Sequence, residues 1–246
     1  MSKPLQVGSD SWRTHVFSTP PIEPRNAKAR PSVRSLPQFD GETIVAEGIN
    51  ELCTVYILHH LKRVGTLLRW KRRPFEWSPG SSGAPRVPKF LVELAQDRKL
   101  LVIQTRSERF MTAKAKASFK EEEMAAEKAG MLHRVWTEAR PLTNEVRSLQ
   151  ARIRGARNTV AEPAALQSLV DFVGAQRRAT ITEIVGAGHD PSLIAVGIRA
   201  AQLYVALDKK LEACSVVTTA PQSDARAFLL LAGVERGSWW KSLRDK

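Results

Sequence analysis

The chain has 246 residues, enough for one large domain or two small ones, and 43% hydrophobic content is enough for a sizeable buried core. Its 38 Lys and Arg outnumber 25 Asp and Glu, and the resulting +13 recurs along the whole chain rather than in one tail, favouring a polyanionic partner, most simply nucleic acid. Two distant cysteines in apolar patterns, Cys53 and Cys214, exclude a disulfide scaffold. No zinc-spaced cluster, apolar leader or run of about 18 apolar residues appears, so a cytoplasmic protein with no membrane partner is expected.

Residues 1–38 are rich in Pro, Ser and Arg, as in Ser18-Thr-Pro-Pro-Ile-Glu-Pro24, and are expected to form a basic extended or disordered arm. From Asp40 the pattern changes. Val45, Ile49, Leu52, Cys53, Tyr56, Ile57 and Leu61 recur at three- and four-residue steps, predicting an amphipathic helix over 42–62. Short strands are predicted at Val64–Trp70 and Pro74–Trp77, a turn at Pro79–Gly83, and strands at 86–95 and 99–106. A helix dense in Ala, Lys and Glu is predicted over 109–129, its run Lys120-Glu-Glu-Glu123 forming a solvated face and Gly130 its stop. A strand at Leu132–Trp136 and a helix over 142–154 follow.

A linker is expected around Asn158–Glu162. Beyond it the chain predicts a helix over 163–175, a short helix at Thr180–Val185 with Thr180 as N-cap, a break at Gly186–Asp190, a longer helix over 191–207 and a strand or hairpin over 208–219. That order is the order of a winged helix. In Ser192–Ala206 only Arg199 stands out for DNA among core residues, so protein docking and base reading are both open. The stretch 223–246 predicts a helix and a tail whose Trp239-Trp240 either anchors a partner or packs back.

The strand pair carries the most chemistry. On the first strand Lys89, Leu91 and Glu93 share a face, and on the next Gln104 and Arg106 share one. If the strands are neighbours, Lys89, Gln104 and Arg106 converge near one sheet edge. Glu51, on the preceding helix, has Glu47 one turn earlier. A metal nuclease needs hard oxygen ligands at such a place; Gln104 offers an amide oxygen, whereas Lys89 repels a cation. The remaining catalytic signals are weak: His59-His60, His133 and His189 have no spaced partners, and no nucleophile elbow, Walker loop or dinucleotide fingerprint occurs.

The layout of these two strands is similar to that of PD-(D/E)xK nucleases, with Lys89 at the Asp position and Arg106 at the Lys position. More widely, the order resembles the TnsA endonuclease subunit of heteromeric Tn-type transposases. The matching pieces are the helix with Glu51, Val64, Arg73-Pro74-Phe-Glu-Trp, Val87-Pro-Lys-Phe-Leu-Val92, Val102-Ile-Gln-Thr-Arg106, a basic helix, a Gly and His133-Arg-Val-Trp-Thr-Glu138. The likeness covers about residues 40–155, and more weakly 163–220. It implies an α/β restriction-endonuclease-like mixed sheet flanked by helices over 39–157, followed by a small winged-helix-like α+β domain over 158–246.

The resemblance also implies site roles. Glu51 and Gln104 stand where an active member binds Mg²⁺, Lys89 stands at the metal-bridging Asp, and Arg106 at the catalytic Lys. Arg keeps the charge of Lys but not its titratable amine, and Lys for Asp reverses the charge. The implied function is a TnsA-like subunit that binds double-stranded DNA at transposon ends beside a DDE-type transposase subunit and an AAA+ ATPase regulator, in a bacterial, nucleoid-associated setting, with 5′-end nicking lost or altered. In that case Lys89, Arg106, Arg109, Arg72 and Arg73 would attract phosphate directly. Two alternatives stay open: an active Mg²⁺-dependent endonuclease using a migrated carboxylate (Glu93, or Glu47 with Glu51), and a basic winged-helix DNA-binding regulator.

Overall fold

The computed structural model describes residues 9–22, 46, 48–63, 65–78, 85–139, 141–156, 159–206 and 209–220. Its centre is a four-stranded mixed sheet of β1 (Leu67–Arg72), β2 (Phe90–Leu94), β3 (Leu100–Thr105) and β4 (Leu132–Trp136), in that spatial order. β2 runs antiparallel to both β1 and β3, and β4 lies parallel to β3. The parallel step needs a crossover, which is α3 (Ala113–Lys128). Thr112 caps α3, its hydroxyl accepting the Ala115 N–H at 3.2 Å.

Strand alternation divides the core. Phe90, Val92, Leu94, Leu101 and Ile103 face α2 (Ile49–Arg63) and α4 (Asn144–Gly155), whereas Leu91, Leu100 and Val102 pack with Trp12, Val16, Ala126 and Met131. The sheet is therefore covered on both sides. Helix α2 lies so deep that ten consecutive residues from Asn50 to His59, His59 included, are buried, so it is not the two-faced helix its spacing predicts.

Trp12 and Val16 belong to α1 (Asp10–Ser18), which replaces the extended arm expected there. Ser9 caps its start at 3.2 Å. The buried Lys71 ammonium closes its end, donating to the carbonyls of Val16 and Thr19 and, at 3.0 Å, to the Thr19 hydroxyl. A cation at a helix C-terminus meets the negative end of the dipole. Burial pulls the Lys71 amine below its usual range. Residues 23–45 lie outside the described residues.

Other boundaries move for local reasons. The strand expected at Val64–Trp70 starts at Leu67 and runs to Arg72, with a register irregularity between Leu67 and Arg69. The one expected at Pro74–Trp77 is a single antiparallel bridge, Trp77 to Arg86. Arg73 adopts φ 46° and Pro74 has no N–H, so the ladder cannot continue. The helix expected from residue 109 is first a 3₁₀ turn, Glu108–Phe110, with α3 beginning after Thr112.

After α4 come α5 (Pro163–Gln176), β5 (Ala179–Thr180), α6 (Ile181–Gly186), α7 (Ser192–Arg199) and β6 (Val216–Val217), with β6 antiparallel to β5 and Tyr204 bridged to Thr218. Thr180 and Glu183 form a reciprocal capping box on α6. Helix α7 is shorter than the expected 191–207. Ala201 turns at φ 59° and the chain folds back so that Leu203 covers Gly197, where a Cβ would lie 2.6 Å from Leu203 Cδ1. Leu169, Val173, Ile184, Ile194 and Leu203 join the same apolar cluster as α2 and α4. The tail from 221 onwards, with Trp239 and Trp240, lies outside the described residues.

Candidate functional site

The first turn of α2 meets the ends of β1 and β2. Glu51 is 3% exposed and receives Arg72 Nε at Oε1, 2.8 Å, while Lys89 Nζ lies 3.9 Å from Oε2. Arg72 pairs with Phe90 in the ladder, which sends its side chain to the α2 side of the sheet. The Lys89 backbone is pinned twice: its carbonyl accepts the Arg73 N–H at 2.9 Å, and its N–H donates to Gln104 Oε1 at 3.3 Å. A buried carboxylate needs such partners, because an isolated charge there would be strongly destabilising.

Gln104 continues the chain of contacts. Its Nε2 donates to Glu122 Oε2 at 2.7 Å. Glu122 is 3% exposed, inside the charge run expected to form a solvated face, while its neighbours Lys120, Glu121 and Glu123 do point outward. It also receives Arg86 Nη1 at 3.0 Å and has His133 Nε2 at 3.4 Å. Burial pushes the Glu122 carboxyl up, but the His133 ring beside it and the hydrogen bonds from Gln104 and Arg86 outweigh it and leave the group below the usual carboxylate range. The signal for Glu122 lay in spacing: it sits four residues before the buried Ala126, hence on the sheet side of α3.

Arg106 is held beside this group by its backbone. Its N–H donates to the Trp136 carbonyl at 3.0 Å and its carbonyl accepts Asn50 Nδ2 at 3.3 Å. The exposed Arg106 and Arg109 guanidiniums instead lie 5.8 and 4.5 Å from the Phe110 ring centroid. The turn beneath them is fixed by Glu138, whose carboxylate accepts Ser107 Oγ at 2.9 Å and the Glu108 N–H at 2.7 Å. Burial pushes that carboxyl up, yet the Glu108 N–H, Asn50 and Ser107 hold it down to about 2.

The structure therefore joins Glu51, Arg72, Lys89 and Gln104 through side-chain contacts, while Arg106 is tied by its backbone to Trp136 and to Asn50, the neighbour of Glu51. Arg72, taken as a phosphate ligand, is engaged with Glu51. Arg73 lies at the strained turn beyond β1, its carbonyl accepting the Ile22 N–H at 3.0 Å. Glu93 is not part of the group. It is fully buried, roughly 13 Å along the strand from Lys89 at about 3.3 Å per residue. There Arg69 Nε, Arg98 Nε and Arg13 Nη1 approach it at 2.6, 2.9 and 3.4 Å. Burial pushes it up, but the Arg69 and Arg98 bonds prevail and keep it low. Glu47 lies outside the described residues.

These residues do not fit a Mg²⁺ ion. Two cations approach the Glu51 oxygens, and Gln104 Oε1 already accepts a backbone N–H. Among the described residues no cluster of three His, Cys, Asp or Glu could hold a metal. Nor does any described helix have the length and apolarity to cross a membrane. No protein-family model and no curated protein matches the chain.

Proposed function

We propose that this chain is a TnsA-like subunit of a DNA transposition machine, one that binds transposon-end DNA beside a DDE-type transposase and an AAA+ ATPase regulator without itself nicking the 5′ ends. The observation that carries this reading is the Lys89 ammonium 3.9 Å from Glu51 Oε2, with Arg72 on the other oxygen. A cation stands where the resemblance puts a metal-bridging carboxylate, so charge neutralisation inside the protein replaces metal binding. A mixed sheet between helices, with β3, α3 and β4 forming a parallel crossover, supports the restriction-endonuclease-like part of the reading. The order α5, β5, α6, α7, β6 supports a winged helix beside it.

The test is a supercoiled plasmid carrying transposon ends, incubated with the chain, its partner transposase and Mg²⁺ or Mn²⁺. No 5′ nicks are expected from the wild type. Duplex affinity measured against salt is expected to fall steeply, with a shallower slope for Lys89→Ala combined with Arg106→Ala. Metal-dependent 5′ nicking by the wild type would overturn the non-cutting part, and an unchanged slope would remove these two residues from the interface. The regulator reading is favoured by a different outcome: sequence-specific duplex binding that survives those two changes and is lost with Arg199→Ala.

A further inference from the structure

Resting on the DNA-binding reading above, we propose that Phe110, flanked by Arg106 and Arg109, is a stacking platform for an unpaired base of single-stranded DNA, with the two guanidiniums holding the adjoining phosphates. Phe110 is 48% exposed and belongs to neither apolar cluster of the fold. Packing among the described residues therefore gives no account of an aromatic ring at this position.

The turn that carries the ring is nevertheless held in place. The Phe110 N–H donates to the Ser107 carbonyl and the Met111 N–H to the Glu108 carbonyl, each at 2.9 Å. Glu138 clamps Ser107 and Glu108 from below at 2.9 and 2.7 Å. Such anchoring lowers the ordering cost of presenting a flat surface to a ligand. Arg109 and Arg106 lie over the ring, 4.5 and 5.8 Å from its centroid, so guanidinium charge adjoins the part of the ring that stays exposed. The exposed Lys114 and Lys116 follow on the first turns of α3.

This combination selects a single strand. A duplex hides the faces of its bases between neighbours, whereas an unpaired nucleotide exposes a π face beside a phosphate, the pair that ring and guanidinium satisfy. The platform also adjoins the Glu51–Lys89 group, because Asn50, next to Glu51 on α2, donates to the Arg106 carbonyl at 3.3 Å. A strand end splayed from a duplex held near Lys89 would meet Phe110 next.

The experiment uses the full chain and two probes: a blunt duplex, and the same duplex with a single-stranded overhang carrying 2-aminopurine, whose fluorescence is quenched by stacking. The wild type is expected to quench the overhang. Phe110→Ala is expected to abolish quenching and bind the overhang probe roughly tenfold more weakly, with blunt-duplex affinity unchanged. Phe110→Trp is expected to keep both signals, which a merely structural Phe would not require. Quenching by Phe110→Ala equal to wild type overturns the platform. Tight blunt-duplex binding without any quenching by the wild type also overturns it while leaving the DNA-binding reading intact; failure to bind either probe overturns both.

Discussion

Gln104 Nε2 donates to Glu122 Oε2 at 2.7 Å, so the same amide whose oxygen accepts the Lys89 N–H is oriented by a carboxylate on the next helix. Because Glu122 also receives Arg86 and faces His133, removing its carboxylate leaves several donors unmatched where water has little access. Glu122→Ala is expected to destabilise the chain by about 3 kcal/mol and Glu122→Gln by about half of that. Urea-unfolding midpoints measure both, and a loss below about 0.5 kcal/mol for the alanine variant would contradict the network.

Glu138 makes stability acid-sensitive. Its carboxyl falls from 4.5 to about 2 in the folded chain, so the unfolded chain binds the proton more readily between those values. The contribution is complete above pH 4.5 and disappears as pH falls toward 2, on the order of 1–2 kcal/mol once solvent screening is allowed for. Glu138→Gln should flatten that part of the curve of stability against pH. An identical slope in the variant would refute the assignment.

His60 works at higher pH and is held neutral rather than charged in the folded chain. Burial, aided by the neighbouring Arg63 charge, lowers it from 6.5 to about 4, and its ring lies 6.0 Å from Tyr204. Only the unfolded chain takes up the proton readily between pH 6.5 and 4. Stability is therefore undiminished above 6.5 and declines as pH falls through that window, by on the order of 2 kcal/mol. His60→Phe should remove the decline; chemical denaturation at pH 7 and pH 5 compares the two proteins.

The turn after α7 predicts opposite signs at two small residues. Gly197→Ala puts a methyl 2.6 Å from Leu203 Cδ1 and 2.8 Å from Cγ, with Leu203 fully buried, and should cost about 1–3 kcal/mol. Ala201→Gly relieves a φ of 59° and should stabilise by about 0.5–1 kcal/mol. Thermal melts of both variants read the signs, and a stabilising Gly197→Ala would mean that Leu203 does not fold back.

Elements whose cause is local were legible in the sequence. Leu132–Trp136 is the strand its pattern predicts, and the Thr180 cap is where a Thr followed three residues later by Glu puts it. The Glu51–Lys89 approach was legible only through the order of motif pieces, since nothing in either residue's neighbourhood specifies the other. The Arg72–Glu51 pair is not legible in the sequence, because the face of a strand residue depends on where the ladder begins, and β1 begins three residues later than its pattern suggests. Glu122 was concealed by three charged neighbours that do face water. Helix α1 is not legible because its nine residues are mostly polar and its partners Lys71, Glu93 and Arg98 stand 55 to 85 positions away.

The clasp on α1 matters for anyone trimming the chain. Arg13 and Glu93 are separated by 80 positions, and the Lys71 ammonium is satisfied by carbonyls that only residues 16 and 19 supply. A version begun at residue 39 would strand a buried ammonium and take Trp12 and Val16 off Leu91, Leu100 and Val102, leaving a partly bared greasy wall prone to self-association. What reads as a dispensable leader is part of the cover over one face of the sheet.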